Sequence, residues 1–484
     1  MPGRAASSSA GFAELPLRGE RLWLALVLVL GAGLRFRGLG EGLWYDEIAT
    51  LVRYARRPFL EIVTRFDTQN QHMLYSIIAH ASVRAFGENA WALRLPAAAF
   101  GVASLRAVWW LGVQIAPRRE ALIAAGLLAV SSHHVWFSQD ARGYSMLMFF
   151  SLVATGLFRR LLEREQSGRG EVLAYAAVMA LACWTQVAGG FVLIAHGIVW
   201  MWAMASDRRI PPRRPWTPLW AMLLAGVVTG LLYLPVLGGM IHTLAGPKAT
   251  GGAAEWKSPV WFALEAARGL ARGIPGGWFA LVAGVAVGSA GVWSYGRRSI
   301  TVLLLLIVPV LVTAIVMLAT AHNLWPRLFF FAAGFAALIA VRGAFLACEM
   351  LFRSRGPVVA TAGAAVVGAA SLFTVPRVWT PKQDYAGALE FVRAARAPGE
   401  AVVTVDMTRL PYRDFYHTDW TAADSLPDLL AAERSAPRTW VLYAFPERLA
   451  AVDSAMWAHV QHYTEVRRFP GTVQGGTIVV TRTP

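Results

Sequence analysis

Long hydrophobic runs, separated by short polar segments, dominate the chain from residue 21 to residue 375. Most of them have the roughly 17–25 residues that an α-helix needs to cross the hydrocarbon core of a bilayer, and two are shorter. The pattern predicts a polytopic α-helical membrane protein with about eleven transmembrane helices. The predicted helices lie at 21–36, 92–115, 120–137, 144–162, 171–186, 187–206, 217–240, 276–296, 299–320, 324–347 and 357–375.

Two further segments complete this part of the topology. The apolar stretch 73–86 is short for a membrane span and predicts a helix that lies at the membrane interface. The first hydrophobic run follows Arg18 and Arg21 and lacks a convincing small-residue cleavage site, so we interpret it as an uncleaved anchor. Residues 1–20 are then a cytoplasmic tail.

The charge of the loops supports a helix at 73–86 that does not cross. Cytoplasmic loops of membrane proteins are enriched in Lys and Arg. If 73–86 does not cross, all the strongly basic loops share the cytoplasmic side with the N-terminus, and if it crosses, all of them lie outside. These loops are 118–119, 159–169, 208–214, 297–298 and 353–355. The non-crossing arrangement predicts that the outer segments are 37–91, 138–143, 241–275 and 376–484.

The last outer segment, 376–484, predicts a small soluble α/β domain. Helix-like and strand-like stretches alternate along it, which is typical of a sheet covered by helices. The predicted helices are 386–397, 426–434 and 446–461, and the predicted strands are 401–406, 439–445 and a hairpin-like pair ending at 476–482.

Composition narrows the functional classes. The chain has 484 residues, 56% hydrophobic and only 15% charged, whereas a soluble chain has about 25% charged residues. The net charge of +16 does not indicate nucleic acid binding, because the excess is concentrated in the short loops of the membrane part. The two cysteines, Cys183 and Cys348, lie far apart in apolar runs, so neither a disulfide framework nor a cysteine-based zinc site is expected.

The first outer segment carries two adjacent acids in Trp44-Tyr45-Asp46-Glu47. Carboxylates close to a bilayer are costly and are usually functional when they are partly buried. The alternative is a solvated acid pair of an ordinary loop.

A second polar group, Ser138-Gln139-Asp140-Ala141-Arg142-Gly143-Tyr144, lies between the third and fourth predicted spans. It joins an acid, an amide, a guanidinium and a phenol in one turn, and Arg142 has the fork geometry that suits phosphate. The alternative is a helix-hairpin turn with a local Asp–Arg pair.

Three further candidates are isolated. His72 could bind a metal or a phosphate, although no spaced His or Cys accompanies it. Arg94 and Arg327 lie near the outer ends of spans, against the positive-inside bias, and therefore call for an anionic partner. The alternatives are an internal ion pair for Arg94 and contact with lipid headgroups for Arg327.

The polar motifs, in this order, resemble those of bacterial GT-C glycosyltransferases, integral-membrane enzymes related to protein O-mannosyltransferases and to the aminoarabinose transferase of lipid A. The resemblance covers about residues 20–200 and is weaker through Arg327. Many relatives have His-Pro-Pro-Leu-Tyr where this chain has Gln71-His72-Met73-Leu74-Tyr75. The motifs that carry the resemblance are Trp44-Tyr45-Asp46-Glu47, Asn70-Gln71-His72-Met73-Leu74-Tyr75, Arg94-Leu95-Pro96-Ala97 and Ser138-Gln139-Asp140-Ala141-Arg142-Gly143-Tyr144.

The resemblance implies an inverting transferase that takes a sugar from a polyprenyl-phosphate-sugar donor. Together with the predicted topology, it predicts a protein of a bacterial inner membrane, with its site facing the periplasm or exterior and membrane lipids as neighbours. The acceptor stays open among glycans, lipids and proteins, and the charge of the loops indicates no nucleic acid partner. Its acid pair carries over onto Asp46 and Glu47 as the catalytic residues.

The chemistry of the outer side supports the same expectation. Nucleotide sugars are not supplied there, so a glycosyl donor must arrive on lipid. The phosphate leaving group is already stable as an anion, and what remains necessary is a base for the acceptor hydroxyl and cations for the phosphate. A membrane transporter or lipid-linked sugar flippase is the alternative, which would place ionisable residues near the bilayer midplane.

We therefore expect Asp46 to be the general base. Glu47 is expected to orient the acceptor or to hold a divalent cation as a cofactor. Arg142 and Arg327 are the expected phosphate ligands. The remaining candidate substrate-binding residues are Gln139, Asp140, His72, Arg94, Tyr45 and Tyr144.

The topology can be tested by cysteine-accessibility labelling in a variant without Cys183 and Cys348. We expect single cysteines at positions 41 and 400 to react with an impermeant reagent from the outside, and a cysteine at 211 to be protected. Labelling of positions 41 and 400 from opposite sides would contradict the predicted topology.

Overall fold

The computed structural model describes residues 17–68, 71–163, 168–206, 216–245 and 254–484. The first part of the predicted cytoplasmic tail, Asn70 and the predicted basic loop 208–214 lie outside the described residues.

Helices coincide with every predicted hydrophobic run, because the runs reflect local chain composition. Those of the membrane part are α1 (Leu17–Phe36), α5 (Ala90–Ile115), α6 (Arg118–Ala129), α7 (Ser132–Ser138), α8 (Tyr144–Glu163), α9 (Arg169–Thr185), α10 (Gly189–Ser206), α11 (Thr217–Tyr233), α12 (Leu237–Ala245), α13 (Pro259–Gly273), α14 (Gly277–Arg298), α15 (Ile300–Ala319), α16 (Ala333–Phe352) and α17 (Gly356–Leu372).

Among the described residues, seven helical segments are long and apolar enough to cross a membrane, or eight if the bent pair α6 and α7 is one span. One of the seven, Pro326–Trp379, includes both α16 and α17. The prediction of a polytopic helical membrane protein is thus confirmed, and the number of eleven crossings stays a prediction.

The predicted helix 120–137 is in fact two helices, α6 and α7, bent by 65°. The break is stabilised in two ways. The Ser131 hydroxyl accepts a hydrogen bond from the His134 amide at the start of α7. The Arg35 guanidinium donates to the carbonyls of Leu128 (3.1 Å) and Ala129 (2.9 Å), which the end of α6 leaves without helical partners.

Close helix packing in the membrane part depends on small residues. A side chain at Gly343 would overlap the backbone of α14 at Val287, and one at Gly291 would overlap the carbonyl of Ile339 on α16. These two glycines therefore allow α14 and α16 to approach each other closely, as is common in bilayers.

The first outer segment folds into three short helices, α2 (Tyr45–Thr50), α3 (Phe59–Thr64) and α4 (Met73–Phe86). Helix α4 has the bounds predicted for the interfacial helix. A π-helical turn, Leu51–Ala55, continues α2.

A five-stranded sheet forms the C-terminal part, with strands β1 (Ala401–Val405), β2 (Thr421–Ala423), β3 (Thr439–Tyr443), β4 (Thr464–Phe469) and β5 (Ile478–Arg482) in the order β2-β1-β3-β5-β4. Strand β1 is parallel to β2 and β3, and β5 is antiparallel to β3 and β4. The covering helices are α18 (Tyr385–Ala395), α19 (Leu426–Ser435), α20 (Pro446–Val452) and α21 (Ser454–Val460).

The predicted α/β character of this part is therefore correct. Strand β2 has only three residues and was not predicted, because so short a segment carries no clear alternation. The predicted helix 446–461 is interrupted at Asp453, whose carboxylate instead accepts from the Met456 amide and begins a new helix.

Candidate active site

Helix α2 presents the two acids in different directions, because successive residues of a helix are rotated by about 100°. Both side chains are buried, with residue exposures of 4% for Asp46 and 0% for Glu47. A buried carboxylate requires compensating donors or cations. The two acids have different partners.

Glu47 is saturated by donors. Arg94 forms a bidentate pair with it, with Nε–Oε1 at 2.7 Å and Nη2–Oε2 at 2.5 Å. The amides of Trp44 and Ala141 donate to the same carboxylate at 3.3 and 2.9 Å. Burial disfavours the charged form, but the charges of Arg94 and Lys382 outweigh it and lower the pKa of Glu47 to about 2.

Arg94 therefore has an internal ion pair, which was the alternative to anion binding. Its two Nη atoms also donate to three backbone carbonyls of the first outer segment, those of Leu39 (3.0 Å), Glu41 (2.7 Å) and Gly42 (3.0 Å). The guanidinium thus ties α5 to the chain just before α2.

Asp46 has a different environment. Its Oδ2 atom lies 3.3 Å from Arg142 Nη1 and 3.2 Å from Arg327 Nη1. The Arg142 side chain is almost fully buried, whereas that of Arg327 is 33% exposed. Two arginines from distant segments thus converge on one carboxylate oxygen at the edge of the buried region.

His72 lies beside Arg142. The Gly143 amide donates to His72 Nδ1 at 2.7 Å, so the neutral ring carries its proton on Nε2, which is 3.2 Å from Arg142 Nη2. Burial and the charges of Arg142 and Arg327 hold the pKa of His72 well below its usual range. His72 is thus neutral, and its Nε2–H and the guanidinium are donors on the same side.

Tyr144 packs edge-on against the His72 ring, with ring centroids 5.3 Å apart. Arg142 lies 5.7 Å from the Tyr144 ring centroid. The phenol therefore supports both donors from one side. Tyr45 is half-buried, and its backbone amide donates to Gln383 Oε1 at 3.1 Å.

The remaining predicted residues hold the turn in place. Gln139 Nε2 donates to the carbonyls of Arg35 (2.9 Å) and Arg37, so this amide serves the end of α1 and not Asp46. Asp140 Oδ1 accepts from Trp44 Nε1 at 3.0 Å. Burial and the nearby charge of Glu47 raise the pKa of Asp140 to about 7.

Lys382 and Gln383 were missed by the sequence analysis. Lys382 Nζ lies 3.5 Å from Glu47 Oε1 and is buried within the site. The signal that could have found it is composition: the chain has three lysines among 45 basic residues, and Lys382 is one of them. Nothing in its local sequence indicates a partner 335 positions away.

The charges do not balance within this cluster of described residues. Four basic side chains, Arg94, Arg142, Arg327 and Lys382, surround three acids, Asp46, Glu47 and Asp140. Because the pKa of Asp140 is raised, its carboxyl group is only partly ionised near neutral pH. The cluster therefore has an excess positive charge that suits an anionic ligand.

The acid pair does not fit the divalent cation considered for it. The oxygens of Glu47 accept from Arg94 and two amides, and Asp46 faces two arginines. Among the described residues, no three His, Cys, Asp or Glu side chains converge as a metal site would require.

Comparison with known proteins agrees with this architecture. A family model described as dolichyl-phosphate-mannose-protein mannosyltransferase matches residues 71–233. No curated protein sequence matches the chain significantly.

Solved structures match over nearly the whole chain. Apo ArnT from Cupriavidus metallidurans aligns with a TM-score of 0.56 and 12% identity, covering 95% of this chain and 98% of that one. ArnT from the same organism bound to undecaprenyl phosphate aligns with a TM-score of 0.52 and 13% identity, covering 95% of this chain and 97% of that one. The Archaeoglobus fulgidus oligosaccharyltransferase in complex with Zn and sulfate aligns with a TM-score of 0.51 and 13% identity, covering 93% of this chain and 73% of that one.

The chain is thus a polytopic membrane protein with the GT-C fold, and the resemblance to GT-C glycosyltransferases is confirmed. The match to the mannosyltransferase family model supports a glycosyltransferase and does not favour a transporter.

Replacing Glu47 by Gln should destabilise the fold. The change retains the shape but leaves Arg94 buried without its counter-charge, and breaking a buried pair costs about 3–5 kcal/mol. Thermal unfolding in detergent should show a clearly lower midpoint. Glu41→Gln is the matched control, because that side chain is exposed in the same segment. Equal midpoints for the two variants would contradict a structural role for the pair.

Proposed function

We propose that this protein is an inverting glycosyltransferase that moves a sugar from a polyprenyl-phosphate carrier to an acceptor on the outer face of a bacterial cytoplasmic membrane. Asp46 is the general base. Arg142 and Arg327, with the Nε2–H of His72, bind the donor phosphate. Glu47 and Arg94 are positioning residues that hold α2 and the 138–143 turn together.

One observation carries this proposal: two arginines share a single oxygen of Asp46, at 3.3 and 3.2 Å. The two non-bridging oxygens of the donor phosphate can accept paired hydrogen bonds from guanidinium groups, as a carboxylate does. Donor phosphate can therefore take over the two arginines. Asp46 then loses its cationic partners and becomes available to accept a proton.

The reaction follows from that exchange. The Asp46 carboxylate accepts the proton of the acceptor hydroxyl as its oxygen attacks the anomeric carbon of the donor sugar. A new glycosidic bond forms, and the bond from the anomeric carbon to the phosphate oxygen breaks. The bonding electrons leave with polyprenyl phosphate, whose increasing negative charge is stabilised by the arginines. Attack opposite the leaving group inverts the configuration.

The excess positive charge supports the same substrate class. The polyprenyl-phosphate sugar carries one negative charge, and the released polyprenyl phosphate carries more. The excess positive charge of the cluster therefore suits both the donor and the leaving group, and it favours a transition state in which the leaving group has already gained charge. The fold is shared with ArnT, for which binding of undecaprenyl phosphate is known. The acceptor, whether glycan, lipid or protein, belongs to the cell envelope in this proposal.

Asp46→Asn should abolish most of the turnover. The amide retains the shape but cannot accept a proton, and loss of a general base costs about 10²–10⁴-fold in rate. The measurement is transfer from a radiolabelled polyprenyl-phosphate sugar by the purified protein, alongside binding of unlabelled polyprenyl phosphate, which should persist.

Asp67→Asn is the control for this change. Asp67 lies in the same outer segment, pairs with Arg57 and has a side chain that is 43% exposed. We expect this variant to keep the parental rate. Near-normal turnover of Asp46→Asn, with loss in Glu47→Gln at a temperature where that variant is folded, would require the two roles to be exchanged.

Arg142→Lys should weaken binding of polyprenyl phosphate although it retains the charge, because Lys cannot reproduce the paired hydrogen bonds of a guanidinium. Arg142→Ala should be worse, losing about 1.5–3 kcal/mol for a charge-assisted hydrogen bond. The same order is expected at Arg327. Calorimetric titration with polyprenyl phosphate, without a sugar, measures this effect.

The matched control is Arg84→Ala, an exposed arginine in the last turn of α4. It should bind polyprenyl phosphate as the parent does. If the alanine variants at 142 and 327 also bind with parental affinity, the phosphate assignment is wrong.

A further inference from the structure

The start of the C-terminal part inserts into the buried cluster. Lys382 is 5% exposed, and its ammonium donates to the Gln139 carbonyl at 2.6 Å and lies 3.5 Å from Glu47 Oε1. It also lies 5.3 Å from the Trp136 ring centroid. One side chain thus contacts α2, α7 and the turn that carries Arg142.

The residues on either side of Lys382 are bonded to the C-terminal part of the same chain. The amides of Thr472 and Val473 donate to the carbonyls of Pro381 and Lys382, both at 3.1 Å. Gln383, 1% exposed, accepts from the Tyr45 amide at 3.1 Å and donates to the Gly476 carbonyl at 3.0 Å. Residues 381–383 therefore link the loop before β5 to the start of α2.

The burial of the Lys382 ammonium has a cost in free energy that its contacts need not repay. Burying a charge is costly even when it is paired, and apolar residues of similar volume are often as stable or more stable in its place. Glu47 already has a bidentate partner in Arg94. The contacts of Lys382 are therefore better explained by the geometry they impose than by stability.

We propose that Lys382 is a positioning residue, through which the C-terminal domain holds Glu47 and the 138–143 turn in the geometry required for transfer. This inference rests on the proposed function for its effect on turnover. The contacts themselves are independent of it, and one part of the test uses only those contacts.

The same contacts make the positioning sensitive to pH. The charged groups facing the ammonium are Glu47 from α2, Asp140 from the turn and Arg94 from α5. Burial and the charge of Arg94 lower the pKa of Lys382 to about 8, and the two acids oppose this. As pH rises through about 8, the ammonium loses its proton and its attraction to Glu47. Turnover should decline over that range.

The test compares three full-length variants, Lys382→Met, Lys382→Arg and Arg468→Met. Methionine keeps the packing against Trp136 without the charge, and we expect kcat to fall about 10–100-fold with little change in KM for the donor, because a small misplacement of catalytic groups costs up to about 10²-fold. Lys382→Arg should retain more activity and lose the decline near pH 8. Arg468, with a side chain 66% exposed and paired with Glu465, is the control and should behave as the parent.

Amide hydrogen exchange gives a readout that needs no substrate. Lys382→Met should increase exchange in 138–143, where the Ala141 amide is bonded to Glu47, and Arg468→Met should not. Faster exchange without transfer activity in the parent would support the positioning contact and overturn the proposed function.

Parental kcat, pH profile and exchange in Lys382→Met would overturn this inference, as would an unchanged decline near pH 8 in Lys382→Arg. If Lys382→Met does not fold, the pH profile of Lys382→Arg decides, because that variant keeps the charge.

Discussion

The buried pair between Glu47 and Arg94 is the interaction on which the rest of the site depends. It joins α5 to α2 through two short contacts, at 2.7 and 2.5 Å, and each partner extends the connection further. Arg94 holds the backbone carbonyls before α2, and Glu47 holds the Ala141 amide of the adjacent turn. Since neither charge is exposed to solvent, each is tolerated only in the presence of the other.

The environment of Asp46 follows from that anchored helix. With Glu47 turned inward, its neighbour on α2 faces Arg142 and Arg327, which come from a turn before α8 and a 3₁₀ turn before α16. Asp46 thus faces two separate arginines, whereas Glu47 is held by one bidentate partner. Two adjacent carboxylates have different partners because a helix separates their directions and the fold places different cations beside each.

The C-terminal sheet is linked to the membrane part at this same place. The carbonyls of Pro381 and Lys382 and the side chain of Gln383 are bonded to the loop before β5. The side chains of Lys382 and Gln383 also reach Glu47 and the start of α2. The cluster of acids and bases is thus assembled from five segments of the chain.

The elements that the sequence predicts correctly are those whose signals are local. Long apolar runs predict helices, the short run at 73–86 predicts α4, and alternating patterns predict most of the C-terminal sheet, because each depends on neighbouring residues alone. The sequence also indicated the residues that gather at the site, since charges near a bilayer are costly wherever they lie. The partners of these residues, in contrast, follow only from the folded structure. Arg94 pairs with Glu47, and Gln139 donates to carbonyls at the end of α1. The Arg35 guanidinium donates to the carbonyls of Leu128 and Ala129 at the bend between α6 and α7. Lys382, from the C-terminal part, lies beside Glu47. These pairs join residues from 47 to 335 positions apart, and the pattern of neighbouring residues carries no information about contacts over that distance.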